Sequence, residues 1–369
     1  MVPAEVVSVG ETIRQVEPRT VREEVVDLLW AHRHWAGATR DEYLALWDWR
    51  YGALADGEPL VWVARAPGGG ALTGHVAVFP RRFRLGDREL RGAVPGDLLV
   101  HRDHRRSLLG IRLLSLPQLM ARRGAFDLVL TFPTELSYRL SLQLGYCDLG
   151  SWRSYADLRR AEPVLRGRIG RVAGAVGPMV DALWAVRRWR YQHALRAAAR
   201  RFRLEPVEVG RVGALDRSHW RRRPDRLVAV GSATYLERRF LLDPFNRREL
   251  FGVWERRTSR FQAHVIVEYR QGIAAVCDCD VNAAVLDEVT AIALTASCLP
   301  PEVAVYGVPA LPGSLLEVEL RRAGFVRRSW GGAGRAAIYA TAFWNPAHPR
   351  AAELARVERW NLLTGAGDA

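Results

Sequence analysis

One ordered series of residues occurs twice in this chain, in the same order and with closely matched spacing. Tyr43-Leu44 stands 19 residues before Trp62, and Tyr235-Leu236 stands 19 residues before Trp254. Val61 and Val253 precede the two tryptophans, and Gly74-His75-Val76-Ala77-Val78 is matched by Ala263-His264-Val265-Ile266-Val267. Further on, Leu144-Gly145-Tyr146 is matched by Ala323-Gly324-Phe325. A single match is within reach of chance, but an ordered series marks a duplication, so the chain must fold as one arrangement of elements built twice. Its 369 residues suit that reading, being too many for one ordinary core and about right for two. The copies are unequal, because the interval from the histidine to the late glycine is 70 residues in the first and 60 in the second.

The first copy carries a readable element order. Glu11 to Val16 alternates as a strand. Thr20 with Glu23 predicts a capping box, before Val21, Val25, Leu28 and Leu29 recur at helical spacing. A second helix is predicted around Asp41 to Trp49, then strands over Leu60 to Arg65 and Leu72 to Phe79, and a hairpin arm turning at Gly86-Asp87. A short apolar strand, Asp97 to Val100, enters the basic loop His101-Arg102-Asp103-His104-Arg105-Arg106, and a helix follows from Leu108. A buried strand at Phe126 to Phe132 and a helix over Leu136 to Leu144 close the copy. That order predicts an α/β (α+β) fold with a mixed, mostly antiparallel sheet. The basic loop lies between a strand and a helix N-terminus, a place suited to phosphate. The second copy lacks both the hairpin arm and the basic loop.

Composition sharpens the class of partner. All 54 basic residues are arginine, and the formal net charge is +14. Such a surface suits anionic partners such as nucleotides, tRNA or lipid headgroups, although lysine-free composition is also what a GC-rich coding bias would give. The four cysteines lack zinc spacing, and Cys277 and Cys279 are expected on one face of a strand as core filling, so no metal is expected. With no long apolar run and no leader-like start, a cytoplasmic protein without integral membrane association is expected. Three segments follow: 1–160, an Arg-rich helical linker at 161–203, and 204–369. The linker helix is expected to pack across both domains, with peripheral contact to a membrane surface or RNA as the other reading.

On these residues the chain resembles the GNAT (GCN5-related N-acetyltransferase) family, in a double-domain form whose second copy is degenerate. In that family a strand ends in V-x-P-x-x-R-x-x-G-x-G, and the loop amides cradle the pyrophosphate of acyl-coenzyme A. Here Val100, Arg105 and Gly110 match, Arg102 replaces the proline and Leu108 replaces the first glycine. The resemblance implies two tandem GNAT-like domains, each a twisted sheet flanked by helices, with acetyl-CoA or another acyl-CoA as co-substrate. It implies cofactor contacts from Leu98, Leu99, Val100, Arg105, Arg106, Ser107, Leu108, Leu109, Gly110 and Ile111. The helix ending in Leu144-Gly145-Tyr146 places Ser141 where the family often has a tyrosine acid, and Tyr138 lies one turn earlier.

Acyl transfer to an amine needs a base, donors on the carbonyl and an acid for the departing thiolate. Asp97 is the candidate base or ammonium anchor, with a plain turn role as its alternative. Tyr138 and Ser141 are the candidate acids. Trp47, Trp49 and Tyr51 are candidates for an acceptor pocket or for helical packing. His75 and His264, shared by a copy without a cofactor loop, are expected to be structural. The implied activity is N-acyl transfer from acyl-CoA to a primary amine or related nitrogen nucleophile, a small molecule. The alternatives are a Fem-like transferase using aminoacyl-tRNA and a non-catalytic binding or scaffold protein.

Overall fold

Val61 and Val63 are buried against one set of helices, while Trp62 and Ala64 are buried against another. A strand buried on both faces needs helices on both sides of its sheet, and this requirement sets the architecture. The computed structural model describes residues 5–7, 11–35, 37–52, 57–221, 223–328 and 338–363. The outermost parts of the expected domains, residues 1–4 and 364–369, lie outside the described residues.

The first half runs β1 (Glu5–Val7), β2 (Thr12–Val16), α1 (Arg22–Ala31), α2 (Arg40–Tyr51), β3 (Leu60–Arg65), β4 (Leu72–Leu85) and β5 (Arg88–Val100). It continues with α3 (Leu109–Arg122), β6 (Leu128–Thr131), α4 (Glu135–Gln143) and β7 (Cys147–Ser151). Helices α1 and α2 cover one face through Val25, Leu29, Tyr43 and Trp47, and α3 covers the other through Leu109, Leu113 and Leu116. Each such fully buried large side chain contributes roughly 1.5–3 kcal/mol. The capping box is on α2 rather than α1. Thr39 accepts from the Glu42 amide and Glu42 reaches back, whereas the Thr20 hydroxyl donates to the Glu17 carbonyl in a short 3₁₀ turn.

After β8 (Arg153–Leu158), α5 (Ala161–Ile169) and α6 (Ala173–Arg201) fold against each other. The second half then follows as β9 (Phe202–Val207), β10 (Leu227–Val230), α7 (Ala233–Leu236), β11 (Arg248–Glu255), β12 (Phe261–Arg270) and β13 (Ile273–Val281). It ends with α8 (Glu288–Thr295), β14 (Val305–Ala310), α9 (Leu315–Arg322), β15 (Val326–Arg328), β16 (Tyr339–Phe343), α10 (Ala351–Leu354) and β17 (Trp360–Asn361). The repeat is visible in three dimensions. Tyr43 and Tyr235 are buried under the first face of their sheets. His75 and His264 are buried on matching strands. Gly145 and Gly324 end α4 and α9 at φ +84° and +87°.

Sheet membership departs from the expected boundary at residue 160. The first sheet runs β1-β2-β3-β4-β5-β6-β16-β7, so the late strand β16 fills the slot between β6 and β7. The second runs β15-β8-β14-β13-β12-β11-β9, so β8 fills the corresponding slot between β14 and β15. The halves have exchanged these two strands at equivalent slots, and β10 and β17 also join the first sheet. The hairpin arm adds a second tie, because β10 pairs antiparallel with Arg82–Leu85 at the arm's tip.

A second correction concerns the cysteines. Val267 pairs with Val276 and Ile266 with Asp278, which leaves Cys277 as an extra residue in a bulge. The bulge breaks the alternation, so Cys277 packs beside Leu250 and Ile266 while Cys279 meets the opposite core.

Candidate functional site

Strands β5 and β6 run parallel but pair only at Gly92–Leu128 and Ala93–Val129. Beyond Ala93 they diverge, leaving the β6-facing backbone edge of β5 without a strand partner among the described residues. Within this stretch β5 carries a bulge, since Val76 lies opposite both Asp97 and Leu98. Asp97 takes a φ of +53° there. That is uncommon for a residue with a Cβ and requires support from its surroundings.

The support is a ring of donors on the Asp97 carboxylate. Trp35 Nε1 donates to Oδ1 at 2.8 Å and the Tyr51 hydroxyl donates to Oδ2 at 2.9 Å. Arg50 reaches both oxygens at 3.3 Å, and His34 Nε2 lies 3.7 Å from Oδ1. Burial pushes the Asp97 pKa up, but Arg50, His34 and the Trp35 bond together hold it below the usual carboxylate value. Tyr51 also bonds His75 Nε2 at 3.0 Å. Burial brings His75 down to about 4, so it is neutral at pH 7. Asp97 therefore anchors the bulge. A carboxylate held below its ordinary pKa and engaged by Trp35, Tyr51 and Arg50 is a weaker base than a free one. The second half repeats the device without a basic loop, with His264 Nε2 at 3.0 Å from Asp278.

The loop after β5 bends through His101 and a 3₁₀ turn at Arg102–His104 into α3. Helix α3 starts at Leu109, so its first-turn amides have no carbonyl four residues earlier. The Ser107 hydroxyl accepts from the Leu109 amide at 3.2 Å. Leu108, in place of a glycine, has φ −75° and ψ 6° and is 68% exposed, so its side chain points outward without strain. A Cβ at Gly110 would meet only Val100 Cγ2 at 3.7 Å, so no backbone of the described residues fills that space. Arg105 and Arg106 are exposed, with Arg105 Nε donating to the Val100 carbonyl at 3.3 Å. Leu98 and Val100 pack toward α3, whereas Leu99 packs toward α1 and α2. Ile111 is exposed on the first turn of α3.

The other expected residues are distributed unevenly. Trp47 is buried and stacks on Tyr51 at 3.6 Å, so both are core, with only the Tyr51 hydroxyl joining the Asp97 ring. Trp49 reaches the second half, its Nε1 donating to the Arg238 carbonyl at 2.9 Å beneath the Arg239 guanidinium. Ser141 is fully buried and donates to the Ser137 carbonyl at 2.8 Å, which removes it from any opening. Tyr138 is partly exposed and stacks on Tyr339 of the exchanged strand. A hydrogen bond to Asp148 raises its pKa to about 12. His34, Trp35 and Arg50 were not expected. They lie on α2 and the segment before it, far from Asp97 in sequence, and no local spacing marks them.

In the second half the equivalent position is closed by the chain itself. The N-terminus of α8 is capped by Asp287 and begins with buried Glu288. Arg226, itself 1% exposed, reaches Glu288 at 3.2 Å and Glu319 at 2.5 Å. The arm of the first half closes over it, leaving a void of about 20 Å³ lined by Arg84, Gly86, Arg226 and Glu288 among others. No group of three or more potential metal ligands occurs among the described residues.

No protein-family model matches the chain, and no curated protein matches it. Solved structures do. A GCN5-related N-acetyltransferase from Kribbella flavida is similar at 12% identity and TM-score 0.53, over 92% of this chain and 72% of that one. A GCN5-related N-acetyltransferase from Anabaena variabilis is similar at 11% identity and TM-score 0.52, over 90% and 72%. The N-myristoyltransferase of Saccharomyces cerevisiae, solved with myristoyl-CoA, is similar at 10% identity and TM-score 0.50, over 93% and 81%. With the strand order above, these likenesses identify the architecture as two tandem GNAT-like domains.

Proposed function

We propose that the first half binds an acyl-CoA between β5 and β6 and transfers its acyl group to a nitrogen nucleophile. The observation that carries this reading is the contrast between the two copies. One diverging strand pair is open and leads to a helix N-terminus where Ser107 meets only the first amide and arginines stand nearby, while its duplicate is filled by Arg226 and two carboxylates. Solved structures of the same fold include one holding myristoyl-CoA. The residues fit such a donor. The free edge of Leu98 to Val100 would pair with the pantetheine arm, and the α3 amides from Gly110 with Arg105 and Arg106 would hold the phosphates. Acetyl-CoA or another short acyl-CoA is the proposed donor, and a small primary amine the proposed acceptor.

In this reading the amine nitrogen attacks the thioester carbonyl, the C–N bond forms and the C–S bond breaks. The leaving thiolate takes a proton, and the ammonium loses one. His34 is the proposed base. It stands beside the Asp97 carboxylate, and burial lowers its pKa from the ordinary value, so at neutral pH it is an unprotonated acceptor. Tyr138 keeps its proton across the neutral range and is the proposed acid. Asp97, Tyr51 and Arg50 position the strand and the histidine.

The reading is tested by calorimetric titration of the protein with acetyl-CoA and with free CoA. Saturable binding in the micromolar range, weakened about tenfold by Arg105→Ala, is the expected result. No binding of either ligand would overturn the donor assignment. With an acceptor in hand, His34→Asn should lower kcat while leaving donor affinity unchanged. The wild-type rate should rise with pH through the acidic range and level off before neutrality, because the His34 pKa is lowered.

A further inference from the structure

Helix α6 does not bury the apolar residues it carries on its outer side. Its second half is docked, with Tyr191, Leu195 and Ala198 packed on the second core. Its stretch up to Trp189 and the residue before the helix expose Val172 (60%), Met179 (69%), Leu183 (67%), Val186 (71%) and Trp189 (60%). At about 100° per residue these five fall within roughly a third of the helix circumference, forming one continuous stripe. Rather than packing across both domains, the helix meets α5, α8 and β9, and the stripe stays uncovered.

Charge selects what could cover it. The segment Ala173–Arg201 holds six arginines and one acidic residue, Asp181. Asp181 is engaged inside the protein, where its Oδ1 accepts from the Ala161 amide at 2.7 Å. A second copy of the chain would set one cationic helix against another. An RNA backbone would answer the arginines but gain little from Met179, Leu183 and Val186, which offer no stacking surface. A bilayer with anionic headgroups answers both features. It takes the aliphatic stripe and Trp189 at the acyl boundary and the guanidinium groups at the phosphates. We propose that the α6 stripe seats this protein on an anionic membrane surface, with the helix lying in the interface. The proposal does not depend on the acyl-donor reading.

The test is co-sedimentation of the full chain with vesicles of phosphatidylcholine alone and with 30 mol% phosphatidylglycerol, about a third of the lipid, enough to give a strongly negative surface. Binding to the anionic vesicles is expected, with little to the neutral ones. The double substitution Leu183→Glu with Val186→Glu should reduce it at least about tenfold. Both side chains are exposed, so the variant should keep the wild-type circular dichroism and melting temperature. Arg196→Gln with Arg200→Gln should weaken anionic binding while leaving the stripe intact. Absence of binding to anionic vesicles, or binding indifferent to the glutamates, would overturn the proposal. So would a concentration-dependent dimer, or tight binding of a single-stranded RNA, that the glutamates abolish without any vesicle binding in the wild type.

Discussion

At the scale of single residues, the ring around Asp97 makes stability depend on acidity. His75 is completely buried, and its pKa in the folded protein is about 4 against about 6.5 when unfolded. Between those values the unfolded chain binds the proton that the folded one refuses, so folding is opposed as pH falls. The stability is intact above pH 6.5 and is lost progressively down to pH 4, by about 3 kcal/mol for this group. Asp97, whose pKa is lowered, adds a loss of the same sign below its ordinary value. Urea unfolding at pH 7.5 and pH 4.5 should show the wild type losing more stability than His75→Gln, which cannot take up the proton. Equal losses in the two proteins would remove His75 as the cause. The repeat already marked His75 and His264 as structural. What no spacing disclosed was the set of donors facing Asp97, because His34, Trp35 and Arg50 meet it only through the packing of α2 and its preceding segment against the sheet.

Among the elements, the decisive difference between the copies lies at the helix that follows the diverging strand. Helix α3 offers an open first turn, whereas α8 starts with a buried glutamate held by Arg226. Burial raises the Glu288 pKa and Arg226 opposes that rise. Arg226→Met should therefore leave a carboxylate buried without its cation and cost about 3–5 kcal/mol at neutral pH, visible as a lower urea midpoint. The deficit should shrink on acidification, because protonation of Glu288 removes the charge whose burial is penalised. A deficit unchanged between pH 8 and pH 5 would mean that Arg226 acts by packing alone. The sequence already showed that the second copy lacks a basic loop, since that is a local absence. It did not show what occupies the position instead, because Arg226 lies about 60 residues before Glu288 and belongs to no recognisable pattern. The same limit explains α6. Its mixed apolar and basic character was legible, but which face would be docked depends on the second core that Tyr191 and Leu195 meet.

For the whole molecule, the exchanged strands change what a domain of this protein is. Strands β8 and β16 each have an ordinary apolar pattern, and nothing local in either states which sheet it will join. The order of elements in the first copy was legible from periodicity and turns, while the destination of these two strands was not, because pairing is settled by the open slots in each sheet. The consequence is mutual dependence. Without β16, Thr131 and the rest of β6 would lose their antiparallel partner, β7 would be separated from the sheet, and Thr341 would no longer meet Thr131 at 3.1 Å. Two strand edges would face solvent, a condition that favours aggregation over a stable half. A chain ending at residue 337 should therefore fail to keep a native first sheet, although most of that sheet's residues lie before residue 152. Hydrogen exchange would show this as loss of amide protection across β4, β5 and β6 together, and the full chain should unfold in one cooperative transition by calorimetry. If the shortened chain kept wild-type protection in those strands, the exchanged strand would be an ornament on an independent domain. If it lost them as a block, the two halves are a single folding unit, and the open slot beside β5 exists only when the far end of the chain has been built.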